Sequence, residues 1–172
     1  MRVSFFVLSL FLLSCSNTVY VVRHAEKAGG IDPVTMKTYA DPPLSAEGQE
    51  RALKLKQLLG NKKIKHIFST NTTRTISTAS PLKELYLGLA INIYSSKADS
   101  MEAFIQKIKT IRKGDILIVG HSNTIDDIAN KMAGKQVVPG DLKDSEYDNL
   151  YILKRKGDNY IFKNDKYGAP SK

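Results

Sequence analysis

The residues best suited to chemistry are two arginines and two histidines, each just beyond a short apolar run. Arg23 and His24 end the run Thr18-Val19-Tyr20-Val21-Val22. Arg74 closes Ser69-Thr70-Asn71-Thr72-Thr73-Arg74, which follows Ile64–Phe68. His121 follows Ile116–Val119 and Gly120, and leads into Ser122-Asn123. A phosphoryl group carries up to two negative charges near neutral pH. Two guanidinium groups can clamp its oxygens with paired hydrogen bonds. A neutral imidazole can attack phosphorus and form a phosphohistidine that water then hydrolyses. A second imidazole, protonated, can stabilise charge on the group in flight. A carboxylic acid would protonate an alkoxide leaving group. Such chemistry needs no metal or cofactor, because the arginines supply the positive charge.

These four side chains can cooperate only if the chain brings them to one place. Thr18–Val22 reads as a short buried strand, and Ile64–Phe68, Ala90–Tyr94 and Ile116–Val119 read as three further strands, the first of these losing its alternation at Lys65 and His66. Between them lie helical patterns. One is capped by Ser45, stopped by Gly60, and carries Ala52, Leu55, Leu58 and Leu59 on one face. The next runs to about Tyr86 with an interruption near Pro81. Asp99-x-x-Glu102 reads as a capping box before Phe104, Ile105, Ile108 and Ile111. Ser122 is expected to cap a helix with Ile125, Ile128, Ala129 and Met132 on one face, ended by Gly134. Residues 28–43, with Gly29-Gly30 and three prolines, read as a loop. Asn149–Leu153 and Tyr160–Phe162 read as a terminal hairpin around Lys156-Gly157-Asp158. Strands alternating with helices imply a three-layer α/β sandwich, a mostly parallel central sheet with helices on both faces. Ligands of such sheets sit beyond the carboxyl ends of the strands. Those are the ends that carry Arg23-His24, Ser69 to Arg74 and His121.

The chain has 172 residues, 42% hydrophobic and 25% charged, enough for one domain with a sizeable core. Its formal charge of +9 favours anionic partners, or serves only to keep the surface soluble. No zinc-finger spacing, basic-aromatic motif or block of five like charges occurs, so a nucleic-acid partner is not expected. Residues 1–17 are set apart from a single domain at 18–172. Met1-Arg2, the apolar run Val3–Leu13 and Leu12-Leu13-Ser14-Cys15 read as a secretory signal. The run is too short to span a bilayer, which takes roughly 20 residues. Leu-Leu-Ser-Cys resembles the lipobox of bacterial lipoproteins. That resemblance implies lipidation of Cys15 and an exported domain anchored to a membrane and facing the periplasm. Cys15 is the sole cysteine, so no intrachain disulfide can form.

Val22-Arg23-His24-Ala25-Glu26-Lys27 resembles the Arg-His-Gly/Ala signature of the histidine phosphatase (phosphoglycerate mutase-like) superfamily. Leu44-Ser45-x-x-Gly48-x-x-Arg51-Ala52 is similar to its first helix start. Ser69-x-x-x-x-Arg74-x-x-x-Thr78-Ala79 is similar to its second arginine motif, and Val119-Gly120-His121-Ser122-Asn123 to its second histidine motif. Each motif is weak alone; four in order are specific. The resemblance implies a phosphoglycerate mutase-like fold, with His24 the nucleophile, Arg23 and Arg74 on the phosphoryl group, and His121 stabilising the transition state. It also implies a proton donor after the second arginine motif, for which Asp99, Glu84 and Glu102 are the candidates. Asp99 serves equally well as a helix cap, and Glu84 as a solvated helix residue. Glu26 is a candidate for the pocket rim or a solvated charge. Ser69 and Asn123 are candidates to contact substrate, or else fill turn and capping roles. His66 reads as structural. The chain lacks the long insertion expected of sugar-phosphate mutases. The function expected is therefore hydrolysis of a phosphomonoester on a small molecule through phospho-His24. A phosphate- or phosphoprotein-binding module with little turnover, and a phosphohistidine-protein phosphatase, are the alternatives.

Overall fold

The computed structural model describes residues 17–171. Six strands form one sheet in the order β3-β2-β4-β1-β5-β6. They are β1 (Thr18–Arg23), β2 (Ile64–Ser69), β3 (Ile91–Ile93), β4 (Asp115–Gly120), β5 (Asn149–Lys156) and β6 (Asn159–Lys166). The first four run parallel, and the β5–β6 hairpin adds on antiparallel to β1. Four helices connect or follow these strands: α1 (Ala46–Leu59), α2 (Thr73–Lys83), α3 (Ala98–Thr110) and α4 (Ile125–Ala133).

Strand alternation divides the core into two halves. Val19 and Val21 of β1 face one side, with Ile105 and Ile108 of α3 and Ile125, Ile128 and Met132 of α4. Tyr20 and Val22 face the other, with Leu55 and Leu59 of α1 and Leu82 of α2. Each fully buried Ile or Leu in these layers is worth about 1.5–3 kcal/mol. The expected three-layer sandwich is thus the observed one.

Local departures have local causes. The register of β2 on β4 shifts between Ile64 and His66, which accounts for the broken alternation around Lys65. Leu58 is exposed, because the buried stripe of α1 runs through Gly48, Arg51, Ala52, Leu55 and Leu59. Helix α2 passes Pro81 but ends at Lys83 rather than near Tyr86. No capping box forms at Asp99-x-x-Glu102: Lys97 is the cap of α3, and Asp99 lies within its first turn. Thr124, not Ser122, caps α4, and Gly134 ends that helix in the left-handed region at φ 68°. Among the described residues no helix is long and apolar enough to cross a membrane.

Register levels the strand ends that matter. Arg23 pairs with Gly120, and Ser69 pairs with Val119. After β1 the chain crosses toward β2 over one face, and after β4 it leaves over the other toward β5. Adjacent strands whose connections depart to opposite faces leave a crevice between their carboxyl ends.

Candidate active site

His24 follows β1 directly, and its N–H donates to Gly120 O at 2.9 Å, which extends the β1–β4 pairing by one bond. The side chain is buried, with Nδ1 2.8 Å from Ala25 O. A carbonyl can only accept, so Nδ1 carries the proton and Nε2 keeps its lone pair. Burial, then the nearby Arg23 and Arg74 cations and His121, pull its pKa down from 6.5 to about 3, against the Ala25 bond. His24 is therefore a neutral imidazole in the tautomer a nucleophile needs.

His121 lies across the crevice, its ring centroid 5.4 Å from that of His24 at 67°. Its Nε2 is 2.9 Å from Thr70 Oγ1, which in turn contacts Thr75 Oγ1 at 3.1 Å. Burial and the Arg74 and Arg23 cations lower its pKa to about 4, while Asp41 opposes them. The resting form is neutral, not the protonated form that charge stabilisation calls for. A dianion placed beside it would favour the protonated form.

The two arginines are held differently. Arg23 is buried; its Nη1 donates to the carbonyls of Lys143, Asp144 and Glu146 at 2.9, 3.1 and 3.0 Å. Its guanidinium stacks on Tyr147 at 4.0 Å, and Tyr147 also packs 6.0 Å from His24, centroid to centroid. Arg74 sits in the first turn of α2, half-buried, with Nη1 3.0 Å from Asp41 Oδ1. Asp41 Oδ2 accepts from Thr73 N at 2.7 Å, so the carboxylate caps α2 as well. The buried Nε atoms of both arginines have no partner among the described residues. Thr78 ties the two halves together: it accepts from Ala25 N at 2.9 Å and donates to Arg74 O at 2.7 Å.

The remaining candidates divide. Glu26 forms a multiple contact with buried Arg51, at 2.6–2.9 Å, and Arg51 also donates to the Tyr167 and Ala169 carbonyls. Gly48 lets α1 lie against this segment, since a Cβ there would meet Glu26 O at 2.1 Å. Ser69 is buried, and its hydroxyl donates to Thr70 O, a turn contact rather than an open one. Asn123 is exposed in the turn after His121. Asp99 is exposed and accepts from Ser100 Oγ at 2.8 Å. Glu102 is exposed and accepts from Gln106. Glu84 caps the far end of α2, about 15 Å along the helix from Arg74. Two carboxylates lie beside the central arginines: exposed Asp144, 3.9 Å from Arg23, and Asp41 on Arg74, which its hydrogen bonds and Arg74 keep below the usual range despite partial desolvation. His66 lies apart, near Lys113 O, and Cys15 lies outside the described residues.

A cleft of about 560 Å³ adjoins this centre, lined by Glu26, Glu47, Glu50, Arg51, Tyr147 and the tail residues 169–171. It meets the histidine–arginine cluster through Glu26 and Tyr147. Sequence reasoning gave no role to Tyr147, Arg51 or Thr70. Arg51 stood within a quoted motif, but Tyr147 sits in irregular chain with no periodic signal.

The fold is phosphoglycerate mutase-like. Residues 19–95 match the histidine phosphatase superfamily (branch 1), a little under half the chain and the part that holds Arg23, His24 and Arg74. The structure is similar to that of a proposed phosphohistidine phosphatase, SixA, from Agrobacterium tumefaciens: TM-score 0.63 and 19% identity, covering 90% of this chain and 99% of that one. It is also similar to a protein histidine phosphatase SixA in complex with tungstate, with TM-score 0.65, 14% identity and coverage of 87% and 96%. A phosphoglycerate mutase from Plasmodium falciparum gives TM-score 0.59 at 14% identity, covering 90% and 94%. At these identities the likeness is one of fold. No curated protein matches the chain at a significant level.

Proposed function

We propose that the protein is a phosphatase that hydrolyses phosphomonoesters through a phosphohistidine on His24. Nε2 of His24 attacks phosphorus and the ester P–O bond breaks, with the leaving oxygen taking a proton from solvent water, which is returned when water attacks in the next step. Water then attacks the phosphohistidine, the P–N bond breaks, and inorganic phosphate leaves with His24 restored. Arg23 and Arg74 balance the phosphoryl charge, and His121 holds the developing negative charge as it becomes protonated. The observation that carries this reading is the meeting of two neutral imidazoles, 5.4 Å apart, with two guanidinium groups whose Nε donors the protein leaves unspent. The 560 Å³ cleft beside Tyr147 is of a size for a small-molecule leaving group, which favours a metabolite ester over a bulky one.

A panel of phosphomonoesters, with an aryl phosphate as the general probe, tests the reading. His24→Ala should lose about 10⁴-fold or more in kcat. Full activity in that variant would end the proposal. One observation favours a second reading, a phosphohistidine-protein phosphatase. Asp99 and Glu84 stand outside the cluster and Asp41 is held ionised, while an imidazole leaving group needs less help from an acid. Preference for a phosphohistidine peptide over every ester in the panel would select it. The proposed setting remains the outer face of a membrane by way of Cys15; lipid labelling that survives Cys15→Ser would refute that.

A further inference from the structure

The amino-end edge of the sheet, opposite the catalytic crevice, gathers exposed lysines. Lys62 and Lys63 precede β2, Lys113 precedes β4, and Lys154 and Lys156 lie toward the end of β5. Register sets these positions side by side. Asp115 N donates to Lys63 O, Lys65 packs against Gly114, and Thr18 pairs with Lys154. Lys63 and Lys113 precede adjacent strands about 4.8 Å apart, inside the ~10 Å screening length at 0.1 M salt, so their charges repel, while Lys154 and Lys156 extend the row two strands further along the edge. Carboxylates at this edge are few, and one of them, Glu84, stands at the C-terminal end of α2. Asp158 pairs with Arg112, and Asp115 accepts from Thr18 N. Helix dipoles do not explain the cluster, since these lysines stand in loops and strand ends rather than in last helical turns.

A second feature marks the same edge. Asn17 is buried at its centre, donating to Ile111 O and accepting from Arg155 Nε and Arg155 N. The polypeptide therefore joins the sheet at a fixed point, between the 109–113 segment and the β5–β6 turn. In the sequence, the apolar run Val3–Leu13 ends only a few residues upstream.

We propose that this edge is a docking surface for an anionic phospholipid bilayer, with the catalytic crevice facing away from the membrane. Lysines near an anionic bilayer are attracted to it, and the bilayer's charge relieves their mutual repulsion. The lipid proposed on Cys15, two residues before Asn17 in the sequence, is what favours a bilayer over a nucleic acid, which would meet the same charges; the choice of occupant rests on that proposed setting.

Flotation of the full chain with vesicles tests this. One set is phosphatidylcholine; the other contains about one part in three phosphatidylglycerol. The apolar stretch contributes to both, so the difference reads the basic edge. Partitioning should be about tenfold or more stronger on the anionic vesicles, and the preference should shrink in high salt. The triple variant Lys62→Glu, Lys63→Glu, Lys113→Glu should lose that preference while keeping phosphatase activity. Reversing Lys37, Lys97 and Lys143 at the opposite edge should leave the preference in place. Equal partitioning onto both vesicle types, or equal loss in both triple variants, would overturn the proposal. So would retention of duplex DNA by the basic edge without any vesicle preference. Binding is read apart from turnover, so a failed phosphatase assay would not decide it.

Discussion

Two arginine–carboxylate pairs flank the crevice, and they differ in almost everything but chemistry. Arg51 and Glu26 meet through several contacts of 2.6–2.9 Å, with Arg51 buried and its other donors on two backbone carbonyls. Arg74 and Asp41 share one contact of 3.0 Å, on a carboxylate that is 42% exposed, and Arg74 Nε has no partner among the described residues. The first pair closes a structure: it joins the segment after His24 to α1 and to the C-terminal tail. The second is a loose pair near water, whose arginine can exchange a carboxylate for a phosphoryl oxygen at little cost. Burial and unspent donors, not the presence of an ion pair, separate the two roles.

The contrast can be broken in several ways. Arg51→Leu should cost about 3–5 kcal/mol of stability, read from the urea midpoint, because Glu26 loses its partner in a partly buried site and the tail loses its anchor. Arg74→Ala should cost about 10²–10³-fold in kcat/KM for an aryl phosphate, with that midpoint nearly unchanged. If the two variants exchanged these phenotypes, the assignment of roles would be reversed. Asp41→Asn should be a small effect of opposite sign. Freed of a competing carboxylate, Arg74 should bind inorganic phosphate up to about fivefold more tightly, seen as a lower inhibition constant. Weaker phosphate inhibition in that variant would mean that Asp41 positions Arg74 rather than competes for it.

The imidazoles sharpen the same picture through pH. Both have folded pKa values, about 3 and about 4, below the ordinary 6.5. In the unfolded chain they would take up protons near 6.5, while the folded protein refuses them. Their contribution to stability is therefore complete above about pH 6.5 and is lost as pH falls toward 4 and 3. Replacing both with Asn should flatten the loss of stability between about pH 6.5 and 4 in urea titrations. An unchanged slope would place those protons elsewhere.

Much of this arrangement was legible beforehand. Period-two and helical patterns gave strands and helices, and Arg23, His24, Arg74 and His121 each stood at a predicted strand end or just beyond one. The parallel order then brought them together. What escaped were contacts that cross most of the chain. Arg23 is held by carbonyls of residues 143–146, and Arg51 by those of residues 167 and 169. Tyr147 and the tail are irregular segments fixed by such bonds, so no periodicity marks them. Caps were misread where neighbouring residues offered similar hydroxyls, as with Ser122 and Thr124. The acid was sought by position alone; Asp99 stands exposed in the first turn of α3 with Ser100 as its partner, and Glu84 ends α2.

The covalent step itself offers the most direct test. A short reaction with labelled aryl phosphate, stopped by denaturation at alkaline pH where P–N bonds survive, should leave label on the protein. Peptide mapping should find it on His24, and His24→Ala should carry none. Label on another residue, or turnover with no label and no loss in His24→Ala, would contradict the account.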